Sequence, residues 1–386
     1  MHHTLLILDY YYPYIGWIET LFGDVAEFCS KKKMKITIVT SRHHPQLKKI
    51  EKRWDVVIYR VGKNRITLLP SVLWFALTNR DLIRSIDHIH TSTFVSALPA
   101  WIIGKIWKKP LTITIHEIYD TLRYHLKGSW WRFYIRFETL VCYLPWKKII
   151  TVSQASKTLL QKTYPHLRDD NLEVILNQID TNFWNKNKVT IQSQHELLSH
   201  HFLTHKEKIL IFVGRLWYEK WLPYLLEAFS GIKDNDQYTK LILIAPRSKL
   251  EYKSSIQDDI DTTRKQMKNN YLTKHIVWID PVKTDEELRL WMSIAHVGIV
   301  PSMSEGFCYT AVQMQAMGLR MIASQVGALP EVLDHTTTDF VSYGKVQELT
   351  DTLVDVLSNI DLWKHKNPQA QKSIDYTAYY NLFFNK

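Results

Sequence analysis

Short apolar runs of strand length alternate with helical patterns along nearly the whole chain, and they do so in two separate series. Thr4 to Asp9 reads as a strand, Ile18 to Lys31 as a helix and Lys35 to Thr40 as a strand. Val56 to Val61, His88 to His90, Leu111 to His116 and Lys148 to Val152 continue the first series, with helical patterns between most of them. Such alternation predicts a parallel sheet covered by helices. From Asn182 to Lys208 the chain is polar and lacks strong periodicity, as an interdomain connection would. A second series follows: strands at Ile209 to Val213, Leu241 to Ala245, His275 to Ile279, Val297 to Val300, Arg320 to Ala323 and Asp339 to Val341, with helices at Leu222 to Ile232 and Glu251 to Lys268. The 386 residues exceed what one hydrophobic core usually serves. The expected fold is therefore α/β, with two doubly wound Rossmann-like domains whose facing loops make a central ligand cleft. The expected boundaries are 1–183, a connection over 184–207, a second domain over 208–360, and a C-terminal helical segment over 361–386 that can return to the first domain.

Composition removes several classes. The longest apolar stretches, Ile66 to Leu77 and Val95 to Ile103, fall short of the roughly 18 residues of a membrane span. The stretch from Met1 to Tyr12 runs straight into a strand pattern and lacks the parts of a secretory signal, so a cytoplasmic protein is expected. Cys29, Cys142 and Cys308 are odd in number and far apart, which suits reduced thiols, and no Cys/His cluster has metal-ligand spacing. The net charge of +11 is uneven: residues 1–183 hold 26 Lys and Arg against 15 Asp and Glu, whereas residues 184–386 hold 23 of each. The first half is matched to an anionic partner, and an acidic membrane surface or a lipid phosphate fits that role. Nucleic acid is not expected, because no helix-turn-helix, finger or RNA-binding sheet signature accompanies the charge.

Two strand ends carry the chemistry. In Pro301-Ser-Met-Ser-Glu-Gly-Phe-Cys-Tyr-Thr-Ala-Val-Gln313 a strand ends at Val300, Glu305 and Gly306 fall in the turn, and a helix follows. That geometry sends backbone N–H groups and a carboxylate into a cleft, where amides bind phosphate oxygens and Glu305 accepts sugar hydroxyls. A Glu-Gly turn taken alone is more often only a turn. In Val213-Gly-Arg-Leu-Trp-Tyr-Glu-Lys-Trp-Leu222, Gly214 and Arg215 follow a strand and Lys220 comes five positions later, supplying two cations for a diphosphate.

The first of these segments resembles the E-x7-E region of family 4 retaining glycosyltransferases, PSxxEGFGxxxxEAMAxGxPVIAS. It continues here as Gln315-Ala-Met-Gly-Leu-Arg-Met-Ile-Ala-Ser324, and then as Val326-Gly-Ala-Leu-Pro-Glu-Val332, similar to the family's VGGxPEV. The second resembles VGRLxxxKGL. Pro13-Tyr-Ile-Gly-Trp-Ile-Glu19 resembles the PxxGGxE loop, with Gly16 on the donor side, and His116-Glu117 sits where the family has a histidine near the donor sugar. Ile150-Thr-Val-Ser153 and Val174-Ile-Leu-Asn-Gln-Ile-Asp-Thr-Asn-Phe183 resemble the segments that close the first domain. The resemblance implies the GT-B fold and retaining transfer from a nucleotide-sugar donor to a glycan or lipid-linked acceptor, in cell-envelope polysaccharide or glycolipid synthesis. In that reading Arg215 and Lys220 neutralise the diphosphate and Gln313 contacts the ribose. Glu305 with Gly306, Phe307 and Cys308 holds the donor sugar, and His116 lies beside it. The implied chemistry needs no metal and no cofactor beyond the nucleotide-sugar co-substrate; the Asp234/Asp236 and Asp259/Asp261 pairs lack a strand-end context.

Three positions depart from the pattern. Gln313 replaces a Glu, which keeps a hydrogen-bond acceptor but loses the charge-assisted strength, roughly a factor of two. Trp17 and Trp221 stand where the family has Gly. Gly is only 12 of 386 residues against a typical share of about 7%, and Trp, at 14, outnumbers it. UGA codons read as glycine in the source organism and rendered as tryptophan would account for this, with Trp17 and Trp221 the best candidates and Trp278 a weaker one. Genuine tryptophans would instead stack on a sugar or lipid and put donor binding in doubt; the departures at Trp17, Trp221 and Gln313 are also what would favour a relative that binds a sugar nucleotide or glycan without turnover. Finally, Gly128 to Lys148 and Trp101 to Lys109 mix aromatic and basic residues at helical spacing, which suits either core packing or attachment to the inner face of a membrane.

Overall fold

The structure, a computed structural model, describes residues 2–14, 16–93, 95–118, 129–216, 220–232, 238–245, 257–360 and 375–384. The chain divides into two compact units, one of Met1–Gln178 with Asp375–Lys386 and one of Ile179–Ile374.

The first unit is built on eight strands: β1 (His3–Leu8), β2 (Lys35–Ser41), β3 (Ile50–Arg53), β4 (Val56–Val61), β5 (His88–Ser92), β6 (Leu111–Ile115), β7 (Lys148–Thr151) and β8 (Leu172–Val174). They lie in the order β3-β4-β2-β1-β5-β6-β7-β8, all parallel except the β3–β4 hairpin. Every residue of β1, β5 and β6 is buried, as strands covered on both faces must be. The order of strands reverses direction at β1, which pairs with both β2 and β5. At its C-terminal end Asp9 is 8% exposed, accepts from the Ser96 backbone N–H at 2.8 Å and lies 2.9 Å from Arg65 Nε.

Three histidines of this unit are swallowed by its core. His88 and His90 both bond the Thr112 hydroxyl, at 2.8 and 2.7 Å, and His116 is edge-on to Phe22. The helix Thr377–Phe384, far along the chain, closes this core. Tyr379 and Phe383 are wholly buried, with Phe383 5.6 Å from the His88 ring and 5.1 Å from that of His90. Where the chain leaves the unit and where it returns, one side chain clasps both: Gln178 donates to the Asp375 carbonyl at 2.9 Å and accepts from the Asp375 N–H at 2.5 Å.

The second unit has six parallel strands: β9 (Lys208–Val213), β10 (Thr239–Ile244), β11 (Ile276–Ile279), β12 (Val297–Val300), β13 (Arg320–Ser324) and β14 (Thr338–Val341). Their order is β11-β10-β9-β12-β13-β14, so the direction of winding reverses between β9 and β12. The C-terminal ends of these two strands are the usual ligand position of such sheets.

The segment 184–207, expected as a connection, is instead folded onto this unit. Thr190 caps a helix at Ile191–His200 by accepting from the Ser193 N–H. Trp184, Leu198 and Leu203 are buried, and the His201 ring packs on Trp291 at 4.7 Å. Only one side chain of that helix, Leu198, is buried, so its apolar stripe was too thin to show as a period. Trp291 belongs to the helix Asp285–Ile294, which Thr284 caps and three acidic residues open. The pairs at 234 and 236, and residues 251–256 of the expected helix, lie outside the described residues. Among those described, no helix is long and apolar enough to cross a membrane.

Candidate active site

In the second unit the two predicted loops meet. Lys220, after β9, places Nζ 2.6 Å from Glu305 Oε1, after β12, and the Ser302 hydroxyl donates to the same oxygen at 2.6 Å. The Glu305 side chain is 5% exposed and that of Lys220 19% exposed. A carboxylate so enclosed needs a compensating charge, and Lys220 provides it. The backbone of Glu305 is fixed as well. Its carbonyl accepts from the Ala328 N–H at 3.0 Å, and Gly327 packs directly on it in the left-handed region, φ +51°. A Cβ at 327 would overlap the Glu305 carbonyl oxygen and come within 3.0 Å of its nitrogen.

Beyond Glu305 the chain turns through Gly306, buried Phe307 and Cys308 into the helix Tyr309–Ala316. Cys308 is itself left-handed, φ 69°, its side chain does not cap the helix, and its carbonyl accepts from the Ala311 N–H at 3.1 Å. Burial, helped by the Glu305 carboxylate, pushes the Cys308 thiol up to about 12, and it is an inert neutral group here. Gln313 is half-buried one turn along this helix. Gly214 continues the ladder after β9 by donating to the Ile244 carbonyl at 3.1 Å, and Arg215 next to it is exposed. The structure thus brings Lys220 and Glu305 into contact, sets Gly214, Arg215, Gly306, Phe307 and Cys308 on the same two loops, and places Gln313 on the helix that follows the second. The sequence reading missed Ser302 and Gly327, although both lie inside quoted motifs.

Trp221, between Lys220 and the helix Leu222–Ser230, has φ 48° and ψ 39°. Its ring meets Tyr224 at 4.6 Å and Tyr343 at 4.4 Å.

The other two predicted residues belong to the first unit. Gly16 precedes the helix Trp17–Lys31 in extended conformation, and the Glu19 carboxylate occupies the space a Cβ at 16 would need. Burial raises Glu19 to about 7. His116, 2% exposed at the end of β6, is lowered by burial to about 3 and is therefore a neutral imidazole. Near Asp9 and Arg65, Tyr10 stacks on Tyr14 at 4.5 Å, and His43 stands edge-on to both rings. Among the described residues no three His, Cys, Asp or Glu side chains converge as metal ligands would.

The chain matches known proteins along most of its length. Residues 207–359 match the model for "Glycosyl transferases group 1" and residues 18–183 that for "Glycosyltransferase Family 4". An alpha-maltose-1-phosphate synthase of Mycobacterium tuberculosis is 25% identical over 66% of this chain, an alignment that spans 64% of that relative's own length. Sucrose-phosphate synthase of Thermosynechococcus elongatus superposes with TM-score 0.77 at 16% identity, covering 94% of this chain and 91% of that one. HepE of Anabaena, solved in complex with UDP-glucose, does so with TM-score 0.71 at 16% identity, over 93% and 90%. The two family matches together take in most of the chain, and it belongs to the group 1, family 4 glycosyltransferases with their GT-B fold.

Proposed function

We propose that the protein transfers a sugar, with retention of configuration, from a UDP- or GDP-sugar to a glycan or lipid-linked acceptor in cell-envelope polysaccharide or glycolipid synthesis. The observation that carries this reading is the Lys220–Glu305–Ser302 cluster where the loops after β9 and β12 meet. A cation, a fixed carboxylate and a helix N-terminus stand together at the topological switch point, as a sugar diphosphate needs. HepE's complex with UDP-glucose supports a uridine donor.

Negative charge grows on the leaving nucleotide in the transition state. Lys220 and Arg215 stabilise it more than they stabilise the ground state, and that difference is what accelerates the step. The cations do the work a divalent ion would otherwise do, and the reaction is read as metal-independent. Glu305 orients the sugar through its hydroxyls. The acceptor attacks on the face from which the phosphate departs, the phosphate oxygen helps take its proton, and no protein nucleophile is invoked.

Attachment to an anionic membrane follows from the first unit. The helix Arg65–Thr78 turns Ile66, Trp74 and Leu77 outward at 80%, 69% and 48% exposure, with Ile106 at 62% on a neighbouring helix. Residues 62–110 carry seven Lys and Arg against two Asp. An apolar stripe in a cation-rich segment suits a headgroup boundary through both terms. The aromatic helix Ser129–Tyr143 divides its roles: Glu138, Val141 and Cys142 are buried, whereas Phe133, Leu140 and Tyr143 are exposed.

Free nucleotide released from a panel of UDP-, GDP- and ADP-sugars tests the transfer, with Arg215→Ala/Lys220→Ala as control. Release from one donor that the control abolishes supports the reading. Donor binding without release, across candidate acceptors, supports the binding-only relative. Vesicles with and without phosphatidylserine test attachment, which Trp74→Glu should weaken at least tenfold.

A further inference from the structure

Glycine is scarce in this chain, yet several turns need it, and the backbone shows which tryptophans stand in its place. Among the described residues seven other than glycine have positive φ, and two of them are tryptophans: Trp54 at φ 52° and Trp221 at φ 48°. For a bulky side chain this region is a true outlier.

Trp54 opens the two-residue loop of the β3–β4 hairpin, in which Arg53 pairs with Val56 across the ladder. Tight hairpins of this length place glycine at a positive-φ loop position, and Gly-Asp is among the preferred pairs. Here the pair reads Trp54-Asp55, with the indole 45% exposed and an arginine, Arg53, laid over it at 4.4 Å. Trp221 is the left-handed cap that turns the loop after Lys220 into the helix Leu222–Ser230, and its side chain makes no capping hydrogen bond. Each tryptophan occupies a turn whose shape glycine adopts without strain.

Other tryptophans behave differently. Trp146 is 6% exposed and donates its indole N–H to the Val141 carbonyl at 2.9 Å. Trp184 and Trp291 are 5% and 2% exposed within the second unit. Trp278, suspected from sequence, is a regular residue of β11 whose indole N–H donates to the Ala245 carbonyl at 2.9 Å, so its side chain is in use.

We propose that positions 54 and 221 are glycine in the natural protein, encoded by UGA codons that one genetic code reads as tryptophan and another as glycine, while Trp146, Trp184, Trp278 and Trp291 are genuine. At 221 the consequence is local to the donor site. Without the indole the turn beside Lys220 presents bare backbone, and Tyr224 and Tyr343 lose the ring that now fills the space between them.

The codons at these six positions decide it, read from the source gene together with the mass of the natural protein's peptides. UGA at 54 and 221 with UGG at the other four, and peptide masses of glycine at the first two, is the expected result. UGG at 54 or 221, or UGA spread over the buried four, overturns it. A second measurement is independent of any transferase activity. Trp54→Gly and Trp221→Gly should each raise the Tm of the full chain, whereas Trp146→Gly should lower it; a fall in Tm for both turn variants also overturns the proposal.

Discussion

Replacing Lys220 with alanine would strand the Glu305 carboxylate in a site where its side chain is 5% exposed. At 2.6 Å the pair attracts by roughly 6 kcal/mol at an effective dielectric near 20, before the cost of stripping water from both groups is set against it. Removing one partner of a buried pair typically costs about 3–5 kcal/mol, because the remaining charge is unpaired. Lys220 is 19% exposed and its loss admits water, so the lower end, about 3 kcal/mol, is expected. For a unit of this size that is a Tm fall of about 6–12 °C. Glu305→Gln should cost about 1 kcal/mol, since the freed ammonium reaches water and Ser302 can still donate to the amide oxygen. The double variant should therefore be more stable than Lys220→Ala alone. Calorimetric melting of the four proteins at neutral pH and fixed salt checks this. A Lys220→Ala loss under 1 kcal/mol, or a double variant no better than it, would refute the claim that a buried charge is being compensated.

Gly327→Ala drives a Cβ into the Glu305 carbonyl and should displace that turn; donor affinity by titration calorimetry should fall at least tenfold, with a modest loss of Tm. Tyr379→Ala empties a fully buried site between Phe22 and His90 and should cost about 3–5 kcal/mol in urea melts of the first unit. The buried histidines set an acid limit. Burial lowers His3 to about 4 and both His88 and His116 to about 3, so the unfolded chain binds protons that the native one refuses. Stability should hold above pH 6.5 and fall as the pH drops below it, by up to about 1.4 kcal/mol per pH unit for each histidine. Glu19, raised by burial to about 7, works in the opposite sense between pH 7 and 4.5 and offsets one of the three. Urea melts from pH 7.5 to 5 check the sign, and unchanged stability over that range would contradict it.

The parallel strands were legible because strands covered on both faces need largely apolar runs, and β1, β9 and β12 carry such runs. Edge elements were not. The β3 sequence, Ile50-Glu-Lys-Arg53, carries three charges because one side of it faces solvent, and β8 is three residues long. The loops of the site were readable as motifs, since Gly214, Glu305 and Gly306 sit at fixed offsets from strand ends. What no local pattern shows is contact across distance. Gly327 presses on Glu305 from 22 positions away, and Asp9 meets Arg65 across 56. Nor does a histidine in a strand announce that it is neutral; His88 and His90 look like polar alternation until Phe383 covers them.

The clasp of Gln178 on Asp375 joins positions 197 apart, and that separation governs the order of assembly. Closing an unstructured loop of this length costs about 5 kcal/mol in chain entropy. Once residues 179–374 have folded, their two ends are already brought to a defined separation and most of that cost is gone. During synthesis the second unit is complete in the chain before Tyr379 and Phe383 have been made, so the first unit waits, with His88 and His90 uncovered, for its last helix. A guest segment that is already folded makes the closing of its host inexpensive.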